Sequence, residues 1–498
     1  MNLGVFEGKW SKEYTALFFV FRDLVAPKVK GVGDAKAVQQ ALDLAKEEGF
    51  GGKKEEVIVV NPPSSKLGNR VIFVGLGDKK EAKPTTFREV TGAAMRALRF
   101  CPPHLVMVLP SARALGESST RLAQLATEGV LLGTYRFDRY LNGAGEKKWK
   151  NIYLANVPSN QGKKGIERGR IFAEAAIFAR DLVNEGASVV TPEYLANIAK
   201  QLAEKEKSIE VKIFNEKTLI EQNFGGIYGV GRGSHHPPCF IELKYTPAKA
   251  QKTLALVGKG VTFDSGGVNI KPTHSLETMK EDMSGAAAVL GVFSALAKLR
   301  PKLKVVGLIP ASENMVDGNS YKPGDFLRTY SGKTVEVTNT DAEGRIILAD
   351  ALSYGVRHHK PDVIIDMATL TGSAALALGQ NIMALFSTDD SLALALQEAS
   401  DRSGEKLWRL PLEKDYMEDL KSHFADIKNA PAIRRGGAIH GALFLHYFLE
   451  SHPRWAHFDI AGVAWSTRDR GYIRRGGTGV TVRTLLEYCM DENLWKTS

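Results

Sequence analysis

The chain has 498 residues, 44% of them hydrophobic and 24% charged, with a formal net charge of +10. Such a length predicts two or more domains with room for a large core, and the composition is that of an ordinary globular protein. Three scattered cysteines, Cys101, Cys239 and Cys489, exclude a disulfide framework and a cysteine-type zinc site, and point to the reducing cytoplasm.

No membrane association is expected. The longest apolar run, Tyr14 to Phe21, is far shorter than a bilayer span, and the first residues lack a basic patch followed by an apolar stretch. The positive charge reads as a solvated lysine-rich surface. Nucleic acid stays open as a secondary partner, although no compact Lys/Arg block with interleaved aromatics is present.

Residues 1–160 read as a smaller N-terminal α/β domain, with a scaffold or assembly role. Strands are predicted at Tyr14–Phe21, Val57–Val60, Val71–Gly75, Leu105–Leu109 and Ile152–Ala155, with helices at Ala35–Glu48 and Phe87–Leu98. Such alternation favours a largely parallel sheet. Residues 161–190 read as a linker and connecting helix, the polar stretch 158–165 being the linker itself. Thr191-Pro192 then starts a helix, threonine capping and proline at the first helical position. The glycine cluster of residues 224–233 reads as turns rather than a nucleotide loop, because Pro237-Pro238 follow where a helix should open.

Residues 191–498 read as a larger C-terminal α/β domain with a mixed sheet flanked by helices. Its strands are predicted at Thr253–Val257, Lys304–Ile309, Thr334–Val337, Val363–Asp366, Met383–Phe386 and His457–Ile460. Its helices are predicted at Leu276–Leu299 and Ile346–His358.

The chemistry concentrates between Leu254 and Arg345. Lys259, Asp264 and Lys271 follow one apolar strand, Asp282 precedes a small-residue helix, and Asp341, Glu343 and Arg345 follow another strand. If that last segment is extended, its three charged side chains share one side. The helix after it offers amides to an anion. Four carboxylates converging from short segments repel one another unless cations intervene, and two divalent ions would resolve this. Oxygen ligands suit magnesium or manganese, and an amine ligand adds zinc. Lysine can ligate only as the neutral amine.

Two stretches, Val257-Gly258-Lys259-Gly260-Val261-Thr262-Phe263-Asp264-Ser265-Gly266-Gly267 and Asn339-Thr340-Asp341-Ala342-Glu343-Gly344-Arg345, resemble the signatures of the leucyl (cytosol) aminopeptidases. The spacing to Asp282, the segment Ala368 to Gly372 and the tail Trp455 to Gly462 look like that family too. The likeness covers roughly residues 175–490, whereas the N-terminal region resembles the family only in size and α/β character. It implies a metallo-exopeptidase that releases N-terminal residues, leucine-like but broad, from peptides with a free amino end.

By that resemblance, Lys259, Asp264, Asp282 and Glu343 hold the tighter metal and Asp264, Asp341 and Glu343 the more exchangeable one. Lys271 polarises the scissile carbonyl, and Arg345 holds a bicarbonate that shuttles the proton. Met279, Thr369, Gly372 and Lys271 contact substrate, and the subunits form a homohexamer. Residues 433–440, with paired arginines, fall where the family closes its pocket. A two-metal phosphoesterase, with Lys271 and Arg345 clamping phosphate, is the competing enzyme class.

Overall fold

The computed structural model describes all residues except 28–31, 63–64, 99–101, 143–148, 251, 434 and 497–498. Cys101 and Arg434 therefore lie outside the described residues. The chain divides into two compact units, residues 1–174 with 468–474 and residues 175–467 with 475–498.

The first unit is built on strands β1 (Asn2–Val5), β2 (Tyr14–Phe21), β3 (Val57–Val60), β4 (Val71–Gly77), β5 (His104–Val108) and β6 (Asn151–Ala155). They form one sheet in the order β1-β6-β5-β2-β4-β3, parallel except where β3 meets β4. β4 is buried along its whole length, as expected of a strand covered on both faces. The five predicted strands are all present; the short β1 was not foreseen.

The strands of the second unit include β7 (Ile209–Phe214), β8 (Cys239–Tyr245), β9 (Thr253–Gly258), β10 (Gly260–Asp264), β11 (Lys304–Asn314), β12 (Phe326–Arg328), β13 (Thr334–Glu336), β14 (Val363–Ala368), β15 (Met383–Ser387), β16 (Leu407–Arg409), β17 (Ile427–Lys428) and β18 (Trp455–Asp459). Nine of these make a mixed sheet ordered β16-β15-β18-β14-β9-β11-β8-β7, with β10 beside β11. The central strand β9 runs parallel to both β11 and β14. The chain leaves β9 towards β11 and returns to β14 on its other side. In an open sheet, the crevice beyond the carboxyl end of such a switch-point strand is where ligands bind.

One side of this sheet packs Ala255, Val257, Val306, Leu308 and Ile364 against helix residues within 346–352 and 442–445, and against Phe448 and Leu449 just beyond the second helix. The helix Glu343–His359 is buried from Glu343 through Gly355. Halfway along it Asp350 accepts backbone N–H groups from Tyr330 (2.7 Å) and Ile227 (2.9 Å). Met279–Leu299 is long and apolar enough to cross a membrane, but 78% of that apolar window is buried inside the protein, so its apolarity serves the core. Cys239 and Cys489 are free and buried, and burial pushes both thiols up to about 12.

Four expectations need correction. Residues 159–165 are not a linker but the opening of a continuous helix, Ser159–Asn184. The glycine cluster is not a set of turns: Gly225–Gly231 is a helix. Both errors have one cause. Glycine reads as a breaker, yet here its missing Cβ lets helices approach closely. A Cβ on Gly165 would lie 2.6 Å from that of Ala123, and one on Gly226 would lie 2.6 Å from the Ile346 carbonyl oxygen. Third, β13 lies outside the main sheet, in a separate three-stranded sheet ordered β12-β13-β17. Fourth, the predicted helix Leu276–Leu299 is broken into a short helix Thr273–Leu276, a 3₁₀ turn Met279–Met283 and the helix Ser284–Leu299.

Candidate active site

At the carboxyl end of β9 the backbone of Lys259 is pinned on both sides. Its N–H donates to the Met367 carbonyl on β14 (3.0 Å), and its carbonyl accepts from Ala286 in the first turn of Ser284–Leu299 (2.9 Å). The side chain, 3% exposed, threads inward. Its Nζ lies 2.8 Å from Glu343 Oε1 and 2.7 Å from Asp282 Oδ2, and it donates to the Thr369 carbonyl at 2.9 Å. Asp264 ends β10. Its Oδ1 accepts from Gly266 N–H and from Asn314 Nδ2, each at 2.8 Å. Lys271 Nζ lies 2.8 Å from Asp264 Oδ2 and also pairs with Asp341. Thr369 donates its hydroxyl to Asp282 Oδ1 at 2.7 Å.

Asp341, Glu343 and Arg345 do not lie on an extended segment. The helix begins at Glu343, not near Ile346, so Glu343 and Arg345 occupy its first turn, where the amide-rich N-terminus favours a carboxylate. All ten residues singled out in the sequence nonetheless line one cavity of about 330 Å³: Lys259, Asp264, Lys271, Met279, Asp282, Asp341, Glu343, Arg345, Thr369 and Gly372. Oxygens of Asp264, Asp341 and Glu343 lie within 4.8 Å of one another.

The electrostatics follow from burial. The two ammoniums neutralise half of the charge on Asp264, Asp282, Asp341 and Glu343. Burial, then the Glu343 charge, pushes the Asp264 carboxyl up to about 7, and burial holds Asp282 well above the usual carboxylate range. Burial acts against ionised Glu343 as well, but Lys259 and Lys271 draw it below its ordinary value. Burial would lower the Lys259 ammonium, yet Asp282, Glu343 and Asp264 outweigh it and hold it high. Burial pushes the Arg345 guanidinium down to about 10. Glu343 Oε2 and Arg345 Nε are buried without a hydrogen-bond partner. Residual negative charge, a spare carboxylate oxygen and converging ligand atoms fit divalent cations bound by oxygen, with one nitrogen ligand available.

Gly344 leaves the space that the Lys259 side chain fills. A Cβ there would sit 2.4 Å from Lys259 Cε and 2.7 Å from its Nζ. Gly344→Ala is expected to displace that ammonium and lower stability by about 1–3 kcal/mol, the usual range for overpacking. Urea denaturation alongside an activity assay checks this; unchanged stability and turnover would show that Lys259 is not held there.

Sequence reading missed several residues that shape this site. Glu281, Leu370 and Ala461 line the cavity. Asn314, at the end of β11, orients Asp264. Asp459 clamps the Thr369–Gly372 loop, its Oδ2 accepting the Thr371 hydroxyl at 2.6 Å and its Oδ1 the Leu370 N–H at 3.2 Å. Of these, Leu370 carried a signal through the segment Ala368 to Gly372, and Ala461 and Asp459 through the tail Trp455 to Gly462. Within 433–440, the buried His440 lies 2.9 Å from Asp419.

A carboxylate-rich, lysine-bearing cavity at the switch point of a mixed sheet, in a chain that also carries a separate α/β unit, is the arrangement of an aminopeptidase. The model of the cytosol aminopeptidase family's catalytic domain matches residues 177–486, and that of the family's N-terminal domain matches residues 17–143. The chain belongs to the cytosol aminopeptidase family and is a peptide hydrolase. The family likeness therefore extends into the N-terminal region, beyond the size and α/β character legible in the sequence.

Among its relatives is a probable cytosol aminopeptidase of Aquifex aeolicus (strain VF5), 44% identical over 91% of this chain and 90% of the relative. Another, from Roseiflexus castenholzii (strain DSM 13941 / HLO8), is 42% identical over 93% of this chain and 96% of the relative. Among solved structures, the bottromycin maturation enzyme BotP in complex with Mn is similar at a TM-score of 0.85 and 36% identity, covering 96% of this chain and 98% of that one.

Proposed function

We propose that the chain is a two-metal exopeptidase that releases the N-terminal residue of peptides, with leucine-like first residues preferred. The observation that carries this reading is the convergence of Asp264, Asp341 and Glu343 oxygens within 4.8 Å, beside buried Lys259 and Asp282. Lys259, Asp264, Asp282 and Glu343 would hold one divalent ion, and Asp264, Asp341 and Glu343 the second. Manganese, zinc and magnesium all suit these ligands, and Mn is bound in the similar BotP structure. Two such ions supply Lewis acidity towards a peptide carbonyl and towards water. Lys259 would then ligate as the neutral amine, which requires the ions' field to outweigh the carboxylates that favour its ammonium.

The chain's own residues do the rest. Lys271 places an ammonium at the cavity wall, able to donate to a carbonyl oxygen as negative charge grows on it. Arg345, with its free Nε, would hold bicarbonate, which supplies a proton acceptor. Met279, Leu370, Thr369, Gly372 and Ala461 wall the space for the first side chain. One methylene in such a pocket is worth only about 1–3 kcal/mol, so selectivity is broad. By the family resemblance the chain would assemble as a homohexamer in the cytoplasm, with the exposed Leu376, Phe424 and Ile270 as candidate contacts.

The test compares leucine p-nitroanilide with a phosphate ester, each with added manganese and after chelation. Manganese-dependent release from the anilide alone is expected. Hydrolysis of the ester alone, or anilide turnover indifferent to chelation, would refute the proposal.

A further inference from the structure

Asn429 carries none of the sequence signals discussed above, yet it is completely buried and every polar atom of its side chain is used. It lies just after β17, in the segment that adds this strand to the small sheet. Its Oδ1 accepts from the Thr338 N–H (2.8 Å), the Thr338 hydroxyl (3.2 Å) and the Asn339 N–H (3.3 Å). Its Nδ2 donates to the Asn339 carbonyl (2.6 Å) and, at 3.5 Å, to that of Ala342. Its own carbonyl accepts from the Arg345 guanidinium at 2.9 Å, and its N–H donates to the Glu336 carbonyl at 3.0 Å. One residue thus grips Glu336, Thr338, Asn339, Ala342 and Arg345, bracketing the short stretch that presents Asp341 and Glu343 to the cavity.

Only a side chain with an acceptor and two donors at this length satisfies both sides of that turn. Aspartate lacks the donors, and glutamine is a methylene too long. A general fold-stabilising amide would bond wherever partners lie; this one bonds only to the segment carrying the acidic ligands and the guanidinium.

We propose that the Asn429 side chain is a positioning group for the metal site, setting where Asp341 points, while the main-chain carbonyl of residue 429, kept in any variant, holds Arg345. This rests on the two-metal reading above. Groups that orient metal ligands typically change metal affinity or activity by about 10–100-fold when lost.

The full-length chain is tested as Asn429→Ala and as the milder Asn429→Ser, with Asp426→Ala as control. Asp426 accepts the Thr334 N–H (2.7 Å) and hydroxyl (2.9 Å), so the control loosens the same segment without touching Asn339, Ala342 or Arg345. Manganese affinity is read by equilibrium dialysis, kcat and KM with leucine p-nitroanilide, and folding by thermal melting.

Both Asn429 variants are expected to bind manganese about 10–100-fold more weakly and to lose kcat by a similar factor, with KM changed far less. Asp426→Ala should lower the melting temperature while manganese affinity and kcat stay within about twofold of the parent. If the alanine variant does not fold, the serine variant decides. A folded Asn429 variant with parental manganese affinity and kcat overturns the proposal. So does an Asp426 control that loses both to the same extent, since the segment would then matter only as structure. A parent protein without manganese-dependent aminopeptidase activity would instead sink the functional reading itself.

Discussion

Replacing Glu343 with alanine is expected to remove bound metal and peptide turnover together. Its carboxylate is 2% exposed, lies 2.8 Å from Lys259 Nζ, and shares the cavity with Asp264 and Asp341. With Asp264, it is one of the two carboxylates placed to serve both proposed ions. Without it the Lys259 ammonium keeps only Asp282 as a near carboxylate. Breaking a buried pair by removing one partner costs about 3–5 kcal/mol. Loss of activity could therefore come from loss of fold, so Glu343→Gln, which keeps the shape, is measured beside it. Elemental analysis of the purified, folded glutamine variant should find metal content well below that of the parent and no measurable release of leucine. Full metal content with parental turnover would remove Glu343 from the site.

Lys271→Ala should behave differently. Lys271 sits at the cavity wall and pairs with Asp264 and Asp341, but it is not among the proposed ligands. Its loss makes the ligand set more negative, which favours cations, so metal content should be preserved. What disappears is a donor aimed at the space where an oxyanion would form. Removing one such donor typically lowers kcat by about 10²–10³-fold. Metal analysis and steady-state kinetics on the same preparation separate this effect from ligand loss. Near-normal kcat would show that Lys271 only balances charge.

The contrast between these variants depends on how differently the site residues declared themselves in the sequence. The acidic and basic members stand in two charged, glycine-rich stretches, legible because charge among apolar elements needs a reason. Their conformation was less legible. Asp341, Glu343 and Arg345 alternate as a strand would, but Ala342 offers no capping side chain to announce the helix that begins at Glu343.

Strands β7 and β8 escaped notice for a related reason. Cys239–Tyr245 carries Glu242 and Lys244, charges that look like a surface turn. In the fold, Glu242 is buried against Lys244, the Tyr354 hydroxyl and His359, partners that come partly from more than 100 residues away. Asn314 and Asn429 were hidden in the same way. A buried amide whose bonds reach groups distant in sequence leaves no periodic trace, and only tertiary structure shows what it holds.

The helix Glu343–His359 limits how this protein can change. Its first turn carries Glu343 and Arg345, which line the cavity, its middle is anchored through Asp350, and thirteen consecutive positions from its start are enclosed. Inserting or deleting a single residue between Arg345 and Asp350 would rotate one end against the other by about 100°. Either the acidic and guanidinium groups would swing out of the cavity, or Asp350 would lose both amides it accepts. Diversification of such a chain must therefore proceed through its connecting segments, while this helix admits substitutions but no change of length.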